Sequence, residues 1–416
     1  MKQAAVATTV PSLRPSPRLR DRLAARLVLA RLSSLRAGSI TLVLPDGAVL
    51  RYGDSASERH VTITVKSWAF FWRTLAAADI GGAESYVEGQ WAVSDLVELC
   101  RLFLIDQSML DAGSGWTAPV RLRHALLRWV RTNTLARARQ NIRHHYDLGN
   151  EFYALFLDES MTYSCAYFEN DAATLEEAQQ AKIERLCRFL DLTPGLEVLE
   201  IGSGWGALAI HLARRYGCRV TSLTLSEQQL EFARRRAAEA GMSDRVDFRL
   251  CDYRQAEGCF DRIVSVEMLE AVGYEYFATF FGRCAKWLRP GGKLVLQTIS
   301  VPDQSFDAYR RDFDFIRKYI FPGGLCPSLY EILRAVKERT NFRLVALEDI
   351  GSHYARTLRC WRERFLARLL EARRLGFDER VLRMWEYYLA SCEAAFSVRH
   401  IGNLQIVLRR PGIGSN

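Results

Sequence analysis

The sequence predicts an α/β protein in two parts: a larger domain built on a parallel sheet, and a smaller mixed α/β domain ahead of it. Three observations carry this. The chain has 416 residues, more than the roughly 250–300 that one core usually organises. From Pro194 onward, apolar strand-like runs alternate with helical ones, the βαβ rhythm of a parallel sheet. The first of those strands runs directly into a glycine-rich turn and a helix.

In chain order, residues 1–36 read as a basic tail ending in an amphipathic helix, with 8 Lys/Arg against 1 Asp/Glu. Residues 1–18 are Pro/Ser-rich, and a solvated tail describes them as well as any structure does. The run "LRDRLAARLVLARLSSLR" (19–36) interleaves Leu, Val and Ala with Arg at helical spacing, as interfacial helices do. An Arg-rich, acid-poor start also fits an organelle transit peptide.

Residues 37–110 read as the small domain. "SITLVLPDGAVLRYG" is a hairpin around Pro45-Asp46-Gly47, "HVTITV" a further strand, and "SWAFFWRTLAA" an amphipathic helix. Residues 111–145 combine a Gly/Ser/Pro linker with a helix carrying seven Arg and no acid over 121–143. Residues 146–416 form the larger domain, with 37 basic and 37 acidic residues. The net charge of +9 therefore lies wholly in the N-terminal part, where two cationic segments flank an acidic one. Such segments suit a polyanion, and the interleaved leucines favour an anionic membrane surface over nucleic acid.

The large domain offers seven strand candidates: 197–203, 219–225, 245–252, 260–268, 293–300, 342–350 and 403–410. The turn after the first is Glu200-Ile-Gly202-Ser-Gly204-Trp-Gly206. Glycines there let the backbone approach a ligand and take positive φ. The spacing is G-x-G-x-G rather than G-x-G-x-x-G, so no pyrophosphate cradle is spelled out. The ten cysteines include no CxxC pair and no cluster with His at ligand spacing, which argues against a metal site and for a reducing cytosol. No stretch reaches the ~20 apolar residues of a membrane span. Within "ESMTYSCAYFEN", Cys165 has open roles as nucleophile, ligand, disulfide partner or small apolar residue.

E-x-G-x-G-x-G resembles motif I of the class I S-adenosylmethionine (SAM)-dependent methyltransferases, which implies a Rossmann-like seven-stranded sheet. On that resemblance Glu200, Gly202, Gly204 and Gly206 face the amino-acid part of SAM, while Asp252 and Tyr253, ending the third strand, take its adenine. Thr224 and Gln229 stand where many relatives carry a ribose-binding acid. A helix N-cap is the competing role for Asp252.

A narrower resemblance follows from "HYDLGNEFYALFLDESMTYSCAYFEN", "LEEAQQAKIERLC", "FDRIVSVEMLEAVG", "RKYIFPGG", "SHYARTL" and "RMWEYYLASCEAAFSVRHIGNLQIVLRR". Together they are similar to the cyclopropane-fatty-acyl-phospholipid synthase family, which includes the mycolic acid cyclopropane synthases. The resemblance covers about residues 38–410. It implies transfer of a methylene unit from SAM to the cis double bond of an unsaturated phospholipid acyl chain. It further implies a bicarbonate ion as base, held by Cys165 and Ile299 through backbone groups, by Glu270, and by Tyr354. Tyr163 and Ser164 join the SAM site. Cys165 then lines an anion pocket and is not a nucleophile. Tyr163, Tyr167, Phe168, Tyr319, Phe321 and Tyr354 are candidate aromatic walls for a carbocation.

Two departures stand out: Glu270-Ala271-Val272-Gly273 replaces Glu-His-Val-Gly, and Gln297 replaces a His. Gln297 donates a hydrogen bond without carrying charge. A redirected proton loss yields a methylene or methyl branch instead of the ring. The resemblance also implies a homodimer and a cytoplasmic enzyme peripheral to the inner membrane face. Two other classes stay open: a small-molecule methyltransferase, and a non-catalytic lipid-binding protein with a vestigial site. A nucleic-acid methyltransferase ranks last, because the chain has no N-P-P-Y or D-P-P-Y tetrapeptide and no P-C dipeptide.

Overall fold

A computed structural model describes residues 18–106 and 148–412. The chain divides into two units, Met1–Ser114 and Gly115–Asn416. The expected tail 1–17, the linker and the Arg-rich helix over 121–143 lie outside the described residues.

The first unit opens with the helix Leu19–Leu32. Ala24, Ala25 and Leu32 are buried, while Leu19, Leu23 and Leu27, one turn apart, are exposed. Strands β1 (Ser39–Val43) and β2 (Val49–Gly53) form the expected antiparallel hairpin, and β3 (His60–Val65) pairs parallel to β1. The helix Ala69–Val87 follows, longer than its sequence pattern. β4 (Trp91–Val93) closes the sheet order β2-β1-β3-β4. Strand alternation buries Ile40, Leu42, Val61, Ile63 and Val65, and Phe71, Ile80 and Leu102 of this unit's helices are buried as well. A last helix, Leu96–Ile105, starts where the Asp95 side chain accepts the Glu98 amide at 2.9 Å.

The second unit holds all seven expected strands: β5 (Glu197–Ile201), β6 (Arg219–Thr224), β7 (Val246–Leu250), β8 (Phe260–Val266), β9 (Leu288–Ser300), β10 (Arg343–Asp349) and β11 (Gly402–Arg409). Their order is β10-β11-β9-β8-β5-β6-β7. The five strands from β9 to β7 run parallel, while β11 is antiparallel to both β9 and β10. β9 starts five residues before the expected 293, because Leu288 already pairs with Phe260 of β8; Arg289-Pro-Gly-Gly bulges out before Lys293 resumes the ladder opposite Arg262, with Gly291 at φ +81°.

Helices cover both faces, so alternate residues feed two cores. Val198, Val220, Val246 and Val264 pack under the helices Leu175–Leu190, Ala207–Tyr216 and Glu227–Glu239. Leu199, Ile201, Ile263 and Leu294 pack under Phe277–Trp287 and Leu329–Arg339. From β5 the chain winds outward through β6 and β7, then returns to β8 on the other side. That reversal opens a crevice at the carboxyl ends of β5 and β8. Between β10 and β11 the helices Gly351–Ala367 and Glu379–Ser397 bring Trp361, Phe365 and Trp385 onto Phe152 and Phe156, one aromatic cluster beside that crevice.

Candidate active site

The crevice contains a cavity of about 260 Å3. Its floor is the turn after β5. Gly204, at φ +48°, has nothing within 4 Å of where a Cβ would stand, so backbone lies open to a ligand. Gly206 serves differently: a Cβ there would stand 2.9 Å from Phe248 Cζ and 3.0 Å from Ala233 Cβ, and Gly206 does not line the cavity. It is a packing glycine that seats the helix Ala207–Tyr216.

One wall is the extended stretch Met161–Ser164. The Asp158 carboxylate holds its start by accepting the Ser160 and Thr162 amides at 2.9 and 3.1 Å. Gln179 Nε2 donates to the Ser164 carbonyl and Lys182 Nζ to the Ser164 hydroxyl, both at 2.9 Å. Lys182 is buried, and desolvation lowers its pKa. Sequence inspection passed over it, although it sits on the buried stripe Leu175, Ala178, Lys182, Leu186 of its helix. A lysine on an apolar stripe was the available signal.

The residue most conspicuously missed is Glu267, the first after β8. Its carboxylate accepts four hydrogen bonds from four separate segments. Oε1 takes the Cys165 N–H at 3.0 Å, the Gln297 amide at 2.9 Å and the Asn403 amide at 2.6 Å. Oε2 takes the Tyr354 hydroxyl at 2.7 Å. Its backbone lies at φ +49°, a region an L side chain seldom occupies.

The Gln297 amide has its orientation set from outside. Arg185 Nε donates to Gln405 Oε1 at 2.6 Å, so Gln405 must turn its NH2 to Gln297 Oε1, at 2.9 Å. Arginine has no acceptor, which leaves Gln297 presenting its NH2 to Glu267. Glu270 behaves otherwise. Its Oε1 accepts the Ile299 N–H, its Oε2 is buried without a partner, and burial, with Glu267 nearby, pushes it up to about 8. Glu200, buried and bonded to the Ser222 hydroxyl, is also pushed up to about 8 by desolvation.

Of the residues expected from sequence, Tyr163, Ser164, Glu200, Gly202 and Gly204 line the cavity, as do Thr224, Gln229, Tyr253 and Glu270. Thr224 and Gln229 bond to each other, the hydroxyl donating to the Gln229 carbonyl at 3.0 Å, which leaves the NH2 of Gln229 for a ligand. Tyr253 has a buried hydroxyl without a partner. Asp252 is a correction. It does not line the cavity; its carboxylate takes the Arg254 backbone N–H at 2.9 Å and pairs with the Arg254 guanidinium at 2.6 Å, the capping role. Cys165, Gln297, Ile299 and Tyr354 lie behind the cavity wall around the two glutamates. The Cys165 thiol is fully buried and pushed well up, chiefly by desolvation, and so is the Tyr354 hydroxyl. Among the expected aromatic walls Tyr163 and Phe321 line the cavity, 6.5 Å apart and stacked. Tyr167 and Phe168 pack on His353, and Tyr319 on Phe315.

An open glycine backbone, a buried acid beside it and an orphaned tyrosine hydroxyl fit SAM at the end of β5. The donors expected to hold bicarbonate fit that ion poorly. Cys165, Gln297 and Tyr354 are already bound to Glu267, and Ile299 to Glu270. Among the described residues, no group of three or more His, Cys, Asp or Glu is arranged to hold a metal.

This sheet order and cavity define a SAM-dependent methyltransferase. Residues 133–406 match the family of mycolic acid cyclopropane synthetase. The chain is 41% identical over 342 residues to the tuberculostearic acid methyltransferase UfaA1 of Mycobacterium tuberculosis, covering 80% of this chain and 79% of that one. It is 38% identical over 354 residues to the cyclopropane-fatty-acyl-phospholipid synthase of Escherichia coli, covering 84% and 87%. The crystal structure of mycolic acid cyclopropane synthase CmaA1 complexed with SAH and CTAB superposes with a TM-score of 0.62 at 32% identity, covering 65% of this chain and 98% of that one. The chain belongs to the cyclopropane synthase family.

Proposed function

We propose that this enzyme transfers a one-carbon unit from SAM to the cis double bond of an unsaturated acyl chain in a membrane phospholipid and closes a cyclopropane ring. The observation that carries this is the juxtaposition, on one cavity, of a SAM-compatible glycine turn, an aromatic wall at Tyr163 and Phe321, and a pair of glutamates after β8. When bound, SAM supplies an electrophilic methyl group. Everything else falls to the chain. The aromatic faces stabilise a carbocation without attacking it, and the buried wall excludes the water that would trap it.

The identity to the Escherichia coli enzyme, over more residues than Gly115–Asn416 contains, reaches into the N-terminal unit and supports a phospholipid substrate. A second product has its own support in the identity to UfaA1, whose name describes a methyl-branched acid; the same transfer would then end in a methylene or methyl branch.

Docking at an anionic membrane surface is part of the proposal. Among the described residues no helix is long and apolar enough to cross a membrane. Leu19, Leu23 and Leu27 form an exposed ladder flanked by Arg20, Arg22 and Arg26, a face that suits lipid head groups. Each basic residue near such a surface contributes about 1 kcal/mol. A homodimer, as in the resembled family, and a peripheral place at the inner membrane face complete the picture.

The test is to incubate the enzyme with SAM and vesicles of monounsaturated phospholipid, then analyse the acyl chains by mass spectrometry and proton NMR. A gain of CH2 with upfield cyclopropane protons supports ring closure. Exocyclic methylene signals transfer support to the branched product, and no gain on any lipid overturns the lipid substrate.

A further inference from the structure

We propose that Glu267 is the built-in base of this enzyme, its carboxylate occupying the seat that an exogenous bicarbonate ion would need. The inference rests on the reaction proposed above and names the group that ends it.

The seat is complete without an added anion. The Cys165 N–H, the Gln297 amide and the Tyr354 hydroxyl, three groups that would hold a small oxyanion, converge on the two oxygens of Glu267, and Asn403 adds a fourth donor. An ionised carboxylate only accepts, and four donors match that form. A second anion would have to displace these bonds and sit against a like charge. The backbone tells the same story. Glu267 is held at φ +49° at the end of β8, a conformation unfavourable for an L side chain that persists where the surroundings over-determine it. Here the surroundings are the four donors.

Glu267 also reaches the reacting space, because it lines the cavity together with Glu270. The two acids differ in what they can do. Glu270 has one buried oxygen without a partner and is pushed up to about 8, so it is a neutral acid at neutral pH. Glu267 has three donors on Oε1 and one on Oε2, which leaves Oε2 as the oxygen with room for a proton.

The step balances as follows. The alkene π pair forms a bond to the methyl carbon while the carbon–sulfur bond breaks, its pair leaving on sulfur. Glu267 Oε2 then takes one proton from the new methyl group, and the released C–H pair closes the ring. In the branched outcome a hydride shift comes first, and the same proton loss forms an exocyclic double bond. The proton passes to solvent after product release.

The experiment has a turnover arm and a binding arm. In buffer freed of carbon dioxide, wild type should keep its rate, and adding millimolar bicarbonate should not raise it. Glu267→Gln, which keeps the size but not the basicity, should lose about 10²- to 10⁴-fold in kcat. Its binding of S-adenosylhomocysteine should persist, showing that it folds. In the binding arm, carbon-13 NMR of labelled bicarbonate should show no protein-dependent broadening with wild type and clear broadening with Glu267→Ala, whose emptied seat accepts the ion. A wild-type rate that collapses without bicarbonate and returns with it overturns the proposal. So does bicarbonate bound by wild type, or an unimpaired Glu267→Gln. The binding arm needs no turnover, so a wrong acyl substrate, seen as no product from wild type, is distinguished from a wrong base.

Discussion

Replacing Glu200 by Gln should raise the stability of the unliganded enzyme at alkaline pH and flatten its pH dependence. Glu200 is 3% exposed, accepts the Ser222 hydroxyl, and is pushed from the ordinary 4.5 up to about 8, chiefly by desolvation. Between those values the folded protein keeps a proton that the unfolded chain has released. The native state therefore binds more protons, and stability falls as pH rises through that window, then levels off. At 1.36 kcal/mol per pH unit the full interval is worth about 5 kcal/mol, an upper bound; from pH 5.5 upward about 3 kcal/mol remains. Gln keeps the shape and still accepts from Ser222, but has nothing to titrate.

The assay is chemical denaturation of both proteins at pH 5.5 and pH 8.5 without ligand. Because Glu270 is pushed the same way, the informative quantity is the difference between the two pH differences, which should be about 2–3 kcal/mol. Parallel curves for wild type and Glu200→Gln would refute the assignment of a buried, protonated acid at the cavity floor.

Three further outcomes follow from the geometry. Cys165→Ala should keep activity within a few-fold, since the site uses the backbone N–H of residue 165 and the thiol is buried and protonated; a loss beyond about 10²-fold in steady-state turnover would reinstate a chemical role for sulfur. Gly206→Ala should cost about 2–4 kcal/mol in thermal or urea unfolding, from a left-handed backbone plus contacts at 2.9 and 3.0 Å with Phe248 and Ala233. Gln405→Leu strands the Gln297 carbonyl and releases its orientation, so stability should fall by about 1–3 kcal/mol and kcat should fall with it. A double-mutant cycle with Gln297→Leu checks this, because strictly additive effects would mean the two amides are not coupled.

The sheet was legible because parallel strands buried on both faces read as short apolar runs between helices, and all seven stand within a few residues of their expected places apart from the start of β9. Most of the cavity lining was legible for a similar reason: its residues follow strand ends directly. Asp252 misled because the arginine that captures it lies only two residues on, a pairing set by the local turn. Glu267 was hidden for the opposite reason. Its four partners are contributed by residues 165, 297, 354 and 403, and no spacing in the sequence betrays a convergence made by strand pairing and a distant helix. The nearby "EAVG" drew attention to Glu270, whose oxygens have the weaker claim to the donors.

The pairing of β11 with β9 sets Asn403 opposite Ile299 and Gln405 opposite Gln297. Inheritance of this chemistry therefore depends on a count of residues as much as on their kinds. One residue inserted within β11 between Gln405 and Ile406, with the buried Ile406, Val407 and Leu408 keeping their register, would turn both amides to the other side of the sheet. A lineage could lose the chemistry by a single-codon insertion while every side chain of the site was retained, and a survey of relatives that scores only residue kinds would count such a descendant as active.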